Sequence, residues 1–263
     1  MPTTHAADGT GIAYEVEGSG PLLVLVHGLT ENRGMWDPVV ERLLGDYTCA
    51  RLDMRGHGES DAPGDYDALG MAGDLAAVVE ALDAPAPPVV VGHSMGGLLA
   101  TAYAAGGAGP VRGVVNVDQG LRFSAFAQQV RPLAPALSGE AFGETFVALM
   151  EALDPEPLDA ATRERLHELH AAASPDVVLA LWRPLFESTD AELDSLVETI
   201  VLPNVQVPYL AIHGSDPGPG YAEWLTGHVP SATVEVWDGH GHWPHLVDPD
   251  RFADRVRAFT ASL

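Results

Sequence analysis

Lysine is absent from the 263-residue sequence, in which all 13 basic residues are arginine and 37 residues are aspartate or glutamate. Without lysine, the chain cannot form a lysine Schiff base and has no lysine for a phosphate-binding loop. The net charge of −24 repels phosphate backbones and anionic lipids. We therefore expect neither a nucleic-acid partner nor a membrane partner.

Cysteine and long apolar runs are also scarce. Cys49 is the only cysteine, which excludes an intrachain disulfide and fits a cytoplasmic location. The longest apolar runs, such as Leu22–Val26, are far too short to span a bilayer, and the first residues show no signal-peptide pattern. Hydrophobic residues still make up 46% of the chain, which is ample for a packed core.

Short apolar runs alternate with segments of helical spacing along most of the chain. Runs such as PLLVLVHG and PPVVVGHS read as buried strands, and each is followed by a helical segment. This alternation predicts an α/β fold with a mostly parallel central sheet and helices on both faces. Residues 121–203 show only helical spacing and are predicted to form a lid or cap. The core would then comprise residues 1–120 and 204–263.

One serine lies between two glycines at the junction of a predicted strand and a predicted helix. The pentapeptide Gly92-His93-Ser94-Met95-Gly96 matches Gly-x-Ser-x-Gly, the pattern of a sharp turn that exposes a nucleophilic serine. The glycines are needed because side chains there would clash with the neighbouring helix and strand. Since such pentapeptides also occur by chance, Ser94 is a candidate that still requires a base.

The segment DGHGHWPHLVDP supplies that base. His242 lies between the last predicted strand and the last helix, at the sheet edge where Ser94 is expected. His240, His242 and His245 also resemble a zinc-binding spacing. The base role fits the segment better, because Pro244 stiffens it and no cysteine contributes. No metal is therefore predicted, and His240 and His245 are expected to pack or to form hydrogen bonds.

Two aspartates could orient the base. Asp216 follows the predicted strand VPYLAIHG, and Asp118 ends the predicted strand VRGVVNVD. Both lie at strand C-terminal ends, and both preserve the chain order serine, aspartate, histidine. An oxyanion hole needs two donors, for which we predict the backbone N–H groups of Leu29 and Met95.

Four segments together resemble the lid-bearing branch of the α/β-hydrolase superfamily. HGLTENRGMW resembles its oxyanion loop, RLDMRGHGESD its Asp-x-Arg-Gly-His-Gly-x-Ser loop, GHSMGG its nucleophile turn, and GHGHWPHLVDPDRF its histidine loop. The resemblance implies that Ser94 is the nucleophile and His242 the base. It also implies that His57 and His93 are structural members of their motifs.

One departure from the family pattern concerns the acid. Family members usually carry it three residues after the glycine that ends the preceding strand, whereas Asp216 follows Gly214 by two residues in a shortened loop. Asp118 lies 24 residues after Ser94, where some branches carry their acid. The prediction favours Asp216 and keeps Asp118 as the alternative.

The expected function is that of a serine hydrolase. It would cleave an ester or lactone of a small, largely apolar, neutral molecule through an acyl-enzyme, because the lid contains few basic residues. A serine nucleophile excludes relatives that use aspartate, and no Gly-x-Gly-x-x-Gly pattern indicates a cofactor. Three tryptophans are candidate pocket residues: Trp36, Trp182 and Trp243.

Other functions fit the same residues. One alternative is C–C bond hydrolysis, perhydrolysis or hydroxynitrile cleavage on the same fold. Another is a receptor that binds a ligand without catalysis. Monomer and homodimer are equally compatible with the sequence.

Overall fold

The computed structural model describes residues 2–106, 109–153 and 157–263. These residues form an eight-stranded sheet in the order β1-β2-β4-β3-β5-β6-β7-β8. The strands are β1 (Thr3–His5), β2 (Gly11–Gly18), β3 (Leu22–Val26), β4 (Thr48–Leu52), β5 (Val89–His93), β6 (Gly113–Val117), β7 (Tyr209–His213) and β8 (Ala232–Val236). The first two strands pair antiparallel, and all pairings from β4 to β8 are parallel. The predicted mostly parallel sheet is therefore confirmed.

Helices connect the parallel strands, as right-handed crossovers require. They are α1 (Asp37–Leu43), α2 (Ala68–Leu82), α3 (Met95–Gly106), α4 (Phe123–Val130), α5 (Ala134–Leu137), α6 (Phe142–Glu151), α7 (Ala160–Ala171), α8 (Pro175–Glu187), α9 (Asp190–Leu196), α10 (Tyr221–His228), α11 (Pro244–Val247) and α12 (Pro249–Ala261). Short 3₁₀ turns cover Arg33–Trp36, Arg131–Leu133 and Leu202–Asn204, and a π turn covers Val197–Val201.

The two faces of the sheet carry separate cores. In register across four strands, Leu25, Val91, Val115 and Leu210 lie side by side and pack with α1 and α12. The residues one position earlier in each strand face the opposite core, which contains side chains of α2, α3 and α10. Each large apolar side chain buried in this way contributes roughly 1.5–3 kcal/mol. Alternation along buried strands therefore explains why helices cover both faces.

The chain between β6 and β7 contains helices α4 to α9 and, among its described residues, no strand. The helices share a third core, in which Phe146 and Trp182 pack with Leu29 and Trp243 from the loops at the sheet edge. The backbone N–H of His242 also donates to the carbonyl of Leu153, 3.3 Å away. The helical spacing predicted for residues 121–203 is present here, and the assignment of this segment as a lid stays a prediction.

Within residues 2–106, 109–153 and 157–263, no helix is both long enough and apolar enough to cross a bilayer.

Candidate active site

Ser94 occupies a sharp turn between β5 and α3. Its φ of +50° lies in the left-handed region, which costs a non-glycine residue about 1–3 kcal/mol and persists only where the surroundings enforce it. A Cβ on Gly92 would overlap the carbonyl oxygen of Gly96, and one on Gly96 would overlap that of Val26. The turn is therefore possible only with glycine on both sides, as the sequence pattern predicts. The Ser94 N–H extends the sheet by donating to the Val117 carbonyl at 2.9 Å.

His242 lies in the loop between β8 and α11 and is held beside this turn. Its carbonyl oxygen is 2.7 Å from Nε2 of His93, the residue that precedes Ser94, and the two imidazole centroids are 4.7 Å apart. Nδ1 of His242 is 2.7 Å from Oδ2 of Asp118. Within the described part of the chain, no hydrogen bond joins Ser94 Oγ to His242, a contact that often tightens only when substrate binds.

The structure brings Asp118, and not the favoured Asp216, to His242. Asp216, the favoured candidate, is exposed in the loop after β7, and its Oδ1 accepts a hydrogen bond from the Gly218 N–H at 2.9 Å. Its carboxylate thus turns back on its own shortened loop. Asp118, the alternative, contacts His242 because it directly follows β6, the strand beside β5.

The carboxylate of Asp118 is well supplied with donors. Oδ1 accepts from the Gly214 N–H at 2.8 Å and lies 3.7 Å from Nδ1 of His213, while Oδ2 faces His242. Burial raises the pKa of Asp118, but the imidazoles of His213 and His242 outweigh burial and hold that pKa well below its usual value. A permanently charged carboxylate fixes a proton on Nδ1 of His242 and leaves Nε2 free to accept one.

The predicted oxyanion donors have no competing partners. Within the described residues, neither the Leu29 N–H nor the Met95 N–H donates to a protein group. Thr30, with φ of +64°, turns the chain after Leu29 and engages the Leu29 carbonyl through its hydroxyl at 2.7 Å. The Leu29 N–H is therefore left available at the C-terminal edge of the sheet, as an oxyanion hole requires.

His57 holds that loop in place. Its Nε2 accepts the Thr30 N–H at 3.1 Å, and its Nδ1 is 3.0 Å from the Arg55 carbonyl. Burial lowers the pKa of His57 to about 4, so the ring is neutral near pH 7 and can accept at Nε2. The implied structural role of His57 is consistent with this geometry.

The three candidate pocket tryptophans lie in different surroundings. Trp36 is fully buried in the core of α1 and α12, with its ring 4.6 Å from that of His245, so the structure does not bring it to a pocket wall. Trp36 ends the 3₁₀ turn before α1, and its side chain packs in the core on the sheet face that α1 and α12 cover. Trp182 and Trp243 belong instead to the core shared by the inserted helices and the site loops, and their contact with substrate stays a prediction.

The other histidines of the base loop lie in different surroundings. His245 is buried against Trp36 and His93, and His240 is 3.2 Å from the Asp238 carbonyl through Nδ1. No group of three His, Cys, Asp or Glu side chains that could hold a metal ion is found in residues 2–106, 109–153 and 157–263.

One buried polar residue of the site was not predicted from the sequence. Glu31 is buried and contacts the Gly28 N–H, the Trp243 indole and the His93 ring. Its position three residues after Gly28, in the predicted oxyanion loop, was the available signal. The two side chains that contact Glu31, those of His93 and Trp243, lie 62 and 212 residues away along the chain, so no local sequence pattern reveals them.

Comparison with known proteins shows which family the chain resembles over most of its length. A model of the alpha/beta hydrolase family matches residues 23–255. A pimeloyl-acyl-carrier protein methyl ester esterase of Vibrio vulnificus (strain YJ016) is 27% identical over 270 aligned residues, which cover 95% of this chain and 98% of that enzyme.

Two solved structures have the same fold over nearly their whole length. The esterase RhEst1 from Rhodococcus sp. ECU1013 is 30% identical, with a TM-score of 0.80 and coverage of 100% of this chain and 98% of that one. Est816, described as an N-acyl homoserine lactone degrading enzyme, is 25% identical, with a TM-score of 0.77 and coverage of 98% and 100%. This chain is thus similar to proteins that cleave esters and a lactone.

Proposed function

Since the chain belongs to the alpha/beta hydrolase family, we propose that it is a serine hydrolase that cleaves a carboxylic ester or a lactone. The observation that carries this proposal is the 2.7 Å contact between His242 Nδ1 and Asp118 Oδ2, beside the strained turn of Ser94. A nucleophile, a base and an acid from three separate segments are arranged there at one sheet edge.

In the first half of the reaction, Ser94 Oγ attacks the substrate carbonyl carbon while its proton moves to Nε2 of His242. The N–H groups of Leu29 and Met95 donate to the oxyanion that forms. The tetrahedral intermediate collapses by breaking the bond to the leaving oxygen, which takes the proton from His242. The products are an alcohol and an acyl group on Ser94.

In the second half, His242 removes a proton from water, and the resulting hydroxide attacks the acyl carbon. Collapse returns the proton from His242 to Ser94 Oγ and releases the carboxylic acid. Asp118 stays ionised throughout and stabilises the imidazolium of His242 in both halves. The proton that Ser94 loses leaves with the alcohol, and a proton from water replaces it on Ser94 Oγ, so the cycle balances with ester and water alone.

The surroundings favour a small, largely apolar, neutral substrate. Leu29, Met95, Phe126 and Val247 belong to or pack against the apolar core that links the loops to the inserted helices. Two arginines of the inserted segment are engaged by other groups: Arg131 pairs with Asp190 and donates to the carbonyls of Leu185 and Ser188, and Arg165 lies 3.8 Å from Asp37. An anionic substrate would find few partners there.

Covalent labelling tests the nucleophile. Wild-type protein treated with a fluorophosphonate probe should be labelled, Ser94→Ala should not, and Ser231→Ala should be labelled like the wild type. Ser231 is a suitable control because its residue is exposed, its hydroxyl donates to the Val207 carbonyl, and it lies just before β8, at the sheet edge opposite Ser94. Labelling of Ser94→Ala, or none of the wild type, would refute the assignment.

Turnover tests the reaction class. A panel of neutral p-nitrophenyl esters, together with lactones followed by acid release, should contain substrates that the wild type hydrolyses. Absence of turnover on every ester and lactone, with Ser94 still labelled, would favour another chemistry on the same residues. Absence of both labelling and turnover would favour a binding protein.

A further inference from the structure

A buried ionic cluster lies beneath the candidate site. The carboxylate of Glu31 is 2% exposed and the imidazole of His93 is 0% exposed, and Nδ1 of His93 is 3.2 Å from Oε1 of Glu31. Glu31 also accepts the Gly28 N–H at 2.9 Å on Oε2 and the Trp243 indole N–H at 2.8 Å on Oε1. The proposed mechanism uses none of these groups chemically.

The hydrogen-bond roles determine the charges. Nε2 of His93 lies 2.7 Å from the His242 carbonyl oxygen, which can only accept, so this nitrogen carries a proton. Nδ1 of His93 faces the carboxylate oxygens of Glu31. An unprotonated Nδ1 and an ionised carboxylate are both acceptors, so a proton must also lie between Nδ1 and Glu31. Because the two other donors stabilise the anion, that proton belongs to His93, and the pair is an imidazolium with a carboxylate.

The pKa directions agree with this assignment. Burial raises the pKa of Glu31, but the charge of His93 together with the hydrogen bonds from His93 and Trp243 outweighs burial and leaves that pKa well below its usual value. Burial lowers the pKa of His93, and Glu31 more than compensates. The neighbouring ring of His245, 4.6 Å from that of His93, is kept neutral by its own burial.

The pair joins the three segments on which the proposed chemistry depends. Glu31 accepts the N–H of Gly28, the residue before the oxyanion donor Leu29. His93 precedes the nucleophile Ser94 and contacts the carbonyl of His242. Glu31 also accepts the indole N–H of Trp243, the residue after His242. Gly28 fits closely against them, because a Cβ there would lie 2.8 Å from Nδ1 of His93. No other residue could occupy that position without displacing the pair.

We propose that Glu31 and His93 form a buried positioning pair, which sets the distances among the oxyanion donor, the nucleophile and the base. This inference rests on the proposed function. The pair touches neither the substrate nor the reacting atoms, so its removal acts through geometry. A displacement of about 1 Å among reacting groups costs about 100-fold in rate. The effect is therefore expected in kcat and not in KM.

The test compares Glu31→Gln with Asp74→Asn. Asp74 forms a second buried ion pair, with Arg55, which contacts neither Ser94 nor His242. Both variants should lose thermal stability. Only Glu31→Gln should also lower kcat, and the phosphonylation rate of Ser94, by about 100-fold at nearly unchanged KM. The rates are measured per folded molecule on a p-nitrophenyl ester that the wild type hydrolyses.

A double variant tests the pairing itself. Since Glu31 and His93 act as a unit, Glu31→Gln/His93→Gln should be no slower than the slower of the two single variants. Independent, multiplicative losses would contradict the pairing. Should Glu31→Gln not fold, His93→Gln removes the charged partner of Glu31 and should lower kcat at nearly unchanged KM.

The outcomes separate this inference from the proposed function. If wild type is labelled on Ser94 and Glu31→Gln reacts within about tenfold of its rate, the positioning pair is refuted while the hydrolase proposal stands. An unchanged kcat for His93→Gln would refute the pair in the same way. If wild type is not labelled at all, the proposed function fails first.

Discussion

Replacing Asp118 by asparagine should abolish most of the activity. The Gly214 N–H donates to Oδ1 at 2.8 Å, so the oxygen of the introduced amide must keep that position. Its NH₂ group then faces Nδ1 of His242, which lies 2.7 Å from the present Oδ2. Nδ1 must accept that hydrogen bond, and the ring proton moves to Nε2, where it blocks proton transfer from Ser94. In a serine triad the wrong tautomer costs about 10⁴-fold in kcat, or about 5 kcal/mol.

Asp216→Asn is the matched control, because an asparagine oxygen can still accept the Gly218 N–H. Steady-state hydrolysis of one p-nitrophenyl ester, with circular dichroism to verify folding, gives kcat and KM for both variants. We expect kcat to fall only for Asp118→Asn. A large loss with Asp216→Asn, or a kcat for Asp118→Asn within about tenfold of wild type, would refute the tautomer argument.

Three further predictions follow from the same contacts. His57→Leu removes the acceptor of the Thr30 N–H and should lower kcat about tenfold at constant KM in steady-state assays, because the Leu29 donor loses its support. Gly96→Ala should be strongly destabilised in chemical denaturation, since its Cβ would overlap the Val26 carbonyl; wild-type stability would contradict the turn geometry. Burial lowers the pKa of His170 to about 4. Between pH of about 6.5 and 4, His170 is therefore protonated in the unfolded chain but not in the folded one, so the fold loses stability as the pH falls through this interval. His170→Phe should therefore lose about 2 kcal/mol less than wild type between pH 7 and 4.5 in urea titrations, and equal losses would refute this.

The fold and the nucleophile turn could be predicted from local sequence. Strand and helix periodicity, glycine at positions 92 and 96, and the placement of Ser94 and His242 at strand ends are properties of single segments. Each follows from sterics and burial within a few residues. The helices between β6 and β7 could be predicted for the same reason, because helical periodicity is a property of each segment by itself.

Tertiary structure decided what depends on several segments at once. Asp118 and Asp216 have equivalent positions in a strand pattern, but the short loop after β7 turns Asp216 onto the Gly218 N–H, while β6 brings Asp118 to His242. Trp36 is an aromatic residue near a site motif, yet the turn before α1 directs it into the core. Glu31 meets His93 only because β3 and β5 are neighbours in the sheet. Spacing along the chain cannot encode such meetings, since side-chain direction and strand order arise only when the sheet assembles.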